Sequence, residues 1–185
     1  MQFFTSDTHF GHANIIKYDG RPFSSVEEHD EGLITNWNSV VAPGDLVYHL
    51  GDVCWHHKEL DIDVLLARLH GTKILITGNH DLSNKHVLRS KQWAKVTPYM
   101  EVTINDKKIC LLHYRMVVWN KSHYGSWALH GHSHGTLPVL MDRKTFDVGT
   151  MCWGYTPLSF MQVADEMNKR SYQPVDGHVA RIMDA

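Results

Sequence analysis

Gln2-Phe3-Phe4-Thr5-Ser6-Asp7-Thr8-His9-Phe10-Gly11-His12 opens the chain. Residues 2–6 form a short apolar run of the kind that makes a buried strand, and the run stops on two metal-type ligands separated by one residue. The arrangement recurs along the sequence. Residues 46–50 lead into Gly51-Asp52, 73–77 into Gly78-Asn79-His80-Asp81, 108–112 into His113, and 127–131 into Gly131-His132-Ser133-His134. Five strand-like runs ending on Asp, Asn and His describe a cage of oxygen and nitrogen donors large enough for two divalent cations.

Helical patterns separate the first three runs. Ser25 and Glu28 make a Ser-x-x-Glu capping box ahead of Leu33, Trp37, Val40 and Val41 at helical spacing. A second helix is predicted from about 59 to 69, with Val64, Leu65 and Leu69 inward and Gly71 as its stop. The second half reads differently: a hairpin of 100–104 and 108–112 about Asn105-Asp106, then strands near 127–131, 139–141 and 145–148. Thr156-Pro157 gives an N-cap and a first-turn proline for a last helix at about 158–169 that presents Phe160, Val163 and Met167. Alternating strands and helices followed by a meander predict an α/β fold with two sheets face to face and helices outside. Ligands in such folds sit at the carboxyl ends of strands, where the motifs fall.

With no repeat, linker or low-complexity segment, residues 1–185 read as one domain with a motif core over 1–150. A formal charge of −2 and scattered Lys and Arg lack the basic block that tracks a nucleic-acid backbone. Cys54, Cys110 and Cys152 form neither a Cys-x-x-Cys pair nor a disulfide framework, and no run approaches a membrane span; a cytoplasmic location is expected. The outlier is histidine, 15 residues of 185.

Two close cations repel, so a site for both needs a bridging anion. A carboxylate can bridge, and Asp52 directly after a strand suits that post. The period of two in an extended chain puts Asp7 and His9 on one side, and His132 and His134 repeat that spacing. Asn79 offers a neutral carbonyl oxygen. Mixed oxygen and nitrogen donors suit Mn, Fe, Zn or Ni, with Mn favoured, and the lack of thiolates argues against a structural zinc site.

The ordered set Asp-x-His, Gly-Asp, Gly-Asn-His-Asp, His and Gly-His-x-His resembles the calcineurin-like metallophosphoesterase superfamily over residues 1 to about 149. It is most like small stand-alone bacterial and phage phosphoesterases, with Thr8-His9-Phe10-Gly11-His12 and His113-Tyr114-Arg115-Met116 as supporting runs. The resemblance implies a four-layer α/β/β/α sandwich of two mixed β-sheets flanked by helices. It implies one metal held by Asp7, His9, Asp52 and His134, and a second by Asp52, Asn79, His113 and His132. Asp52 would bridge, and His80 would protonate the leaving group while a metal-bound hydroxide attacks phosphorus.

The protein phosphatase branch continues Gly-Asp with x-x-Asp-Arg-Gly, whereas Val53-Cys54-Trp55-His56 follows here, so that activity is not expected. A phosphodiester or nucleotide is the expected substrate. A nuclease acting on DNA or RNA is the alternative, though charge does not support a nucleic-acid partner. A non-catalytic scaffold of the same fold is the reading from another class; intact ligands and His80 count against it. His12 and Arg115 are expected substrate contacts, with Arg21 a further candidate for the phosphate. Trp55 could flank a leaving group. His49, His130 and Asp45 are expected to serve packing and hydrogen bonding, and His29, His57 and His178 to lie at the surface. No membrane partner is expected, and oligomeric state is open.

Overall fold

The computed structural model describes residues 1–56, 58–173 and 175, with backbone only for Glu59 and Leu60. His57 and His178 lie outside the described residues. Along the chain run β1 (Gln2–Thr5), α1 (Ala13–Tyr18), α2 (Val26–Val40), β2 (Leu46–His49), α3 (Glu59–Ala67), β3 (Thr72–Ile76), α4 (Asn79–Ser83) and α5 (Lys85–Arg89). There follow β4 (Trp93–Thr97), β5 (Tyr99–Ile104), β6 (Lys107–Leu112), β7 (Trp127–His130), β8 (Thr145–Asp147), β9 (Leu158–Ser159) and α6 (Phe160–Asn168).

Two mixed sheets result. The first has the order β4-β3-β2-β1-β9, parallel except for β9; the second has the order β5-β6-β7-β8, with β5–β6 antiparallel and the rest parallel. Each crossover from β1 to β4 adds a strand on the same side, so the connecting helices share one face. Side-chain alternation then sorts the layers. Phe3, Val47 and Leu75 pack with Leu33, Trp37, Ile62, Leu66 and Val87 of the helices. Their neighbours Phe4, Tyr48, Ile74 and Ile76 meet Ile109, Leu111, Trp127 and Leu129 of the second sheet. Phe4 and Tyr48 stack with centroids 5.2 Å apart, as their paired register allows. The outer side of the second sheet, Cys110 and Ala128, is covered by Trp119 and Met116 beside a 3-10 turn at Ser122–Tyr124.

This layering brings the carboxyl ends of β1, β2 and β3 beside those of β6 and β7. A bridge between Ser6 and Gly149 joins the two sheets at that edge, with the Thr150 amide donating to the Ser6 carbonyl at 2.9 Å. No helix among the described residues is long and apolar enough to cross a membrane.

Several local expectations change. Residues 139–141 are not a strand, and β4 and β9 were not anticipated. Val64 is exposed, whereas Leu65 and Leu69 are buried as expected, together with Ile62 and Leu66. Ser25 caps α2 by accepting from the Glu28 amide, but the Glu28 carboxylate turns to the Ser24 amide instead of closing the box. The last helix begins two residues later than expected: Leu158 and Ser159 pair with β1, and Ser159 with Gln162 forms the capping box in place of Thr156-Pro157. Strand pairing claims the residues that propensity alone gave to the helix. Ser159→Ala therefore lowers stability by about 1 kcal/mol in urea unfolding, and Thr156→Ala by much less; the reverse ranking would contradict this cap.

Candidate metal centre

The site is assembled from loops that leave the strand ends with unusual backbone. Asp7, His9, Asp52, His132 and His134 have φ of 56°, 51°, 58°, 68° and 48°. The Asp7–His9 segment is thus not the extended chain that its spacing suggested. Left-handed turns at both residues aim the two side chains inward, and His132-Ser133-His134 does the same. These turns are held by neighbouring loops. Asp7 N donates to the Gly51 carbonyl at 2.9 Å, His9 N to the Asp52 carbonyl at 3.1 Å, and His132 N to the Asp7 carboxylate at 3.0 Å. Gly131 and Gly78 serve by close approach: a Cβ at Gly131 would lie 1.8 Å from Ser6 Oγ, and one at Gly78 2.3 Å from Asp52 Oδ1.

Two groups of donors result. Asp7, His9 and His134 each bring a ligand atom within 4.8 Å of the others, as do Asp52, His113 and His132. Asn79 joins the second group, its Oδ1 lying 3.1 Å from His113 Nε2. Asp52 Oδ2 faces both groups, 3.4 Å from His113 Nε2 and 3.9 Å from His9 Nε2. Donors bonded to one ion at about 2.0–2.2 Å lie roughly 3.0–3.6 Å apart; the 3.1 and 3.4 Å spacings of the second group fall in that range, and the 3.9 Å from Asp52 Oδ2 to His9 Nε2 is slightly longer. His9 Nε2 is buried with no hydrogen-bond partner among the described residues, an atom that a metal ion would satisfy.

The electrostatics match that reading. Burial works against the charge of Asp52, but hydrogen bonding and the charge of His113 hold its carboxyl at about 2. Burial likewise opposes ionisation of Asp7, and the His134 hydrogen bond holds it below the usual carboxylate range. Burial pushes His9 down to about 3. His134 goes the other way: despite burial, bonds to Asp19 and Asp7 raise it to about 10. Without an ion, protonated His134 supplies positive charge beside the carboxylate.

His80 sits at the rim on α4, its side chain 37% exposed and its Nε2 3.9 Å from Asp52 Oδ2. Its amide donates to Asp52 Oδ1 at 3.0 Å. His12 stacks on Trp55 with centroids 4.3 Å apart, and lies 5.6 Å from His9. Trp55 in turn meets the His80 ring edge-on at 5.1 Å, so both aromatics line the rim. Arg115 donates to the Pro138 carbonyl and lines a cavity of about 200 Å³ with Leu137, Phe146 and Trp153, none of them a donor of either group. Its neighbour Tyr114, assigned no role in the sequence, donates to Asn79 Oδ1 at 3.2 Å and packs on His132 at 4.5 Å.

Arg21 is not a substrate contact. Its side chain is fully buried, and its donors go to Asp19, His29 and the carbonyls of Asp7 and Thr8. His29, expected at the surface, is buried against it. His49 and His130 are buried and hydrogen-bonded as expected, and Asp45 accepts from the N-terminal ammonium and the Ala42 amide. Asp81, quoted with its motif but given no task, accepts from the amides of Gly78, Asp52 and Val53 at 2.8–3.0 Å. Burial pushes its carboxyl up to about 6. Neither Arg21 nor Asp81 could be assigned from spacing, because the Asp7 and Thr8 carbonyls on one and the Asp52 and Val53 amides on the other are backbone groups that only the fold brings to them.

No protein-family model matches the chain. A crystal structure of a protein of unknown function, AQ665 from Aquifex aeolicus, shares the fold with a TM-score of 0.67 at 24% identity, covering 90% of this chain and 98% of that one. The chain belongs to the family of the uncharacterized protein MJ1445 of Methanocaldococcus jannaschii, being 36% identical over 160 residues, 83% of this chain and 84% of the relative. It is also similar to the gene 66 protein of Mycobacterium phage L5, 28% identical over 180 residues, 82% of this chain and 86% of that protein.

Two outcomes follow from the buried polar groups. Asp81→Ala strands three buried amides and costs about 3 kcal/mol or more in urea unfolding, since each lost partner costs at least about 1 kcal/mol; a loss below 1 kcal/mol would contradict its bracing role. His49 accepts from the Gly51 amide through Nδ1 and meets Thr8 Oγ1 through Nε2, and burial lowers it to about 4. Its folded pKa lies below the ordinary 6.5, so its contribution is fully present above that pH and is lost as pH falls toward 4. Asp81, raised, acts in the opposite sense between about 4 and 6. Metal-free wild type thus loses on the order of 3 kcal/mol more than His49→Gln between pH 7 and 4. Parallel stability curves for the two proteins would contradict this.

Proposed function

We propose that the chain is a dinuclear metal-dependent phosphohydrolase, with phosphodiesters or nucleotides as its substrates. The observation that carries the reading is the place of Asp52 Oδ2, which faces His113 of one donor group and His9 of the other. The donor chemistry supports it: Asp7, His9 and His134, with Asp52, would hold one ion, and Asp52, Asn79, His113 and His132 the other. Oxygen and imidazole donors suit Mn, Fe, Zn or Ni, and Mn is favoured. Bound divalent ions would supply Lewis acidity, lowering the pKa of water and neutralising charge on the phosphoryl oxygens.

The chain's own residues supply position and a proton. The Asp52 carboxylate is fixed by the His80 amide at Oδ1, leaving Oδ2 toward both groups. His80 stands at the open rim, where an imidazole can protonate a departing oxygen. Trp55 restricts its ring on one side. His12 lies on the same rim, within reach of a substrate set over His9. Tyr114 holds the Asn79 carbonyl oxygen by its hydroxyl, so it is a stronger candidate than Arg115 for contact near the second group.

Mn-loaded protein is expected to hydrolyse bis(p-nitrophenyl) phosphate and a dinucleoside monophosphate. A nucleoside alkoxide needs a proton as it leaves, whereas p-nitrophenolate scarcely does. His80→Ala should therefore keep its metal content and lose about 10²–10³ in turnover of the dinucleoside substrate, with a much smaller loss on the nitrophenyl ester. Equal losses on both would contradict the proton-donor role. No turnover of either by metal-loaded wild type would contradict the phosphohydrolase reading.

A further inference from the structure

We propose that Asp19 and Arg21 are positioning residues of the metal centre, together setting the ring of His134 and the left-handed turn at Asp7 before an ion enters. The proposal rests on the metal-binding reading above and goes beyond its ligand set.

Asp19 closes α1, and its Oδ2 lies 2.7 Å from His134 Nδ1. The other nitrogen of the same ring, Nε2, points to Asp7 Oδ1 at 3.6 Å. An imidazole presents one nitrogen to an ion, and whatever holds the other fixes the ring plane, the tautomer and the basicity of the ligand. His113 is held through Nδ1 by the Leu50 carbonyl at 2.7 Å, a neutral partner. His134 has a carboxylate instead.

That carboxylate is itself clamped. Arg21 donates to Asp19 Oδ2 from Nε at 3.1 Å and from Nη2 at 2.9 Å. Nη2 also donates to the Asp7 carbonyl at 3.0 Å, and Nη1 to the Thr8 carbonyl at 3.0 Å. Nη1 meets His29 Nε2 at 2.9 Å, while His29 Nδ1 pairs with Asp30, whose carboxylate accepts from the Gly11 amide. One buried guanidinium thus ties the backbone that carries Asp7 and His9, the carboxylate that orients His134, and helix α2 behind them. All three members of the first donor group hang on this clamp. The contacts of Asp19 and Arg21 include none of Asp52, Asn79, His113 or His132.

The consequence is selectivity between the two ions. Titration of Mn²⁺ into chelator-stripped protein, followed by calorimetry, should give two ions per wild-type chain. Asp19→Ala should weaken one of them by about 10–100-fold and leave the other at wild-type affinity. Asp19→Asn should recover most of that loss, because its amide oxygen still accepts from His134 Nδ1. Arg21→Lys, which keeps the charge but not the fork, should reproduce the one-sided loss without passing through a shortened Asp19. Wild-type affinity at both ions in folded Asp19→Ala and Arg21→Lys would overturn the proposal. So would equal weakening at both ions, which marks general loosening of the fold. Wild-type protein that takes up no Mn²⁺ would overturn the metal reading and this proposal with it. Two ions without phosphate-ester turnover would overturn only the phosphohydrolase reading, and the one-sided loss in Asp19→Ala would still support the clamp.

Discussion

Two carboxylates, Asp7 and Asp52, are 1% and 2% exposed inside a ring of imidazoles, and the architecture around them serves to make that burial tolerable. An isolated buried carboxylate is strongly unfavourable, so each must find positive charge or several donors. Asp7 finds Ser6 Oγ, the His132 amide and His134; Asp52 finds His113 and the His80 amide. The same oxygens face His9 and His113, whose nitrogens point at them with lone pairs or protons. Protons and divalent cations therefore compete for one set of atoms, and ion uptake would release the proton that His134 holds. A cage suited to metal is the simplest account of so many titratable groups drawn into so small a volume.

The second cost is in the backbone. Among the described residues, five of the nine non-glycine positions with positive φ are donors of the two groups. Each such turn costs about 1–3 kcal/mol, and strain of this kind persists where surrounding structure over-determines it. Here the surrounding structure is specific. The loops after β1 and β2 continue the parallel pairing beyond the strands, from Asp7 with Gly51 to Phe10 with Val53 and Trp55. Asp81 collects three amides of the loops after β2 and β3, and Arg21 collects the carbonyls of Asp7 and Thr8. The strained turns thus sit between two side chains that are buried, multiply bonded and polar.

Much of this was legible in the sequence, and the reason is local. Runs such as 46–50 and 73–77 are apolar on both faces because helices cover one side and a second sheet the other, and each ends where a polar donor must leave the core. The hairpin turn at Asn105-Asp106 was readable because both residues tolerate the left-handed region they occupy, at φ of 46° and 62°. What was not legible depends on distant partners. Arg21 looked like a phosphate contact because arginine suits phosphate; it is a structural fork because Asp19 and two loop carbonyls close around it. His29 reads as a polar helix residue until its place against that fork is known. Leu158 and Ser159 carry a helix-start pattern, yet pairing with β1 holds them extended. Asp7 and His9 were correctly grouped on one side, but from extended geometry, whereas the turns that group them are left-handed.

Anomalous scattering from crystals soaked in MnCl₂ shows how many ions bind and which of them Asp52 touches. If Asp52 joins two ions, two peaks are expected, one beside Asp7, His9 and His134 and one beside Asn79, His113 and His132, with the Asp52 carboxylate touching both. A single peak, or two peaks of which Asp52 contacts only one, would rule out a bridging Asp52.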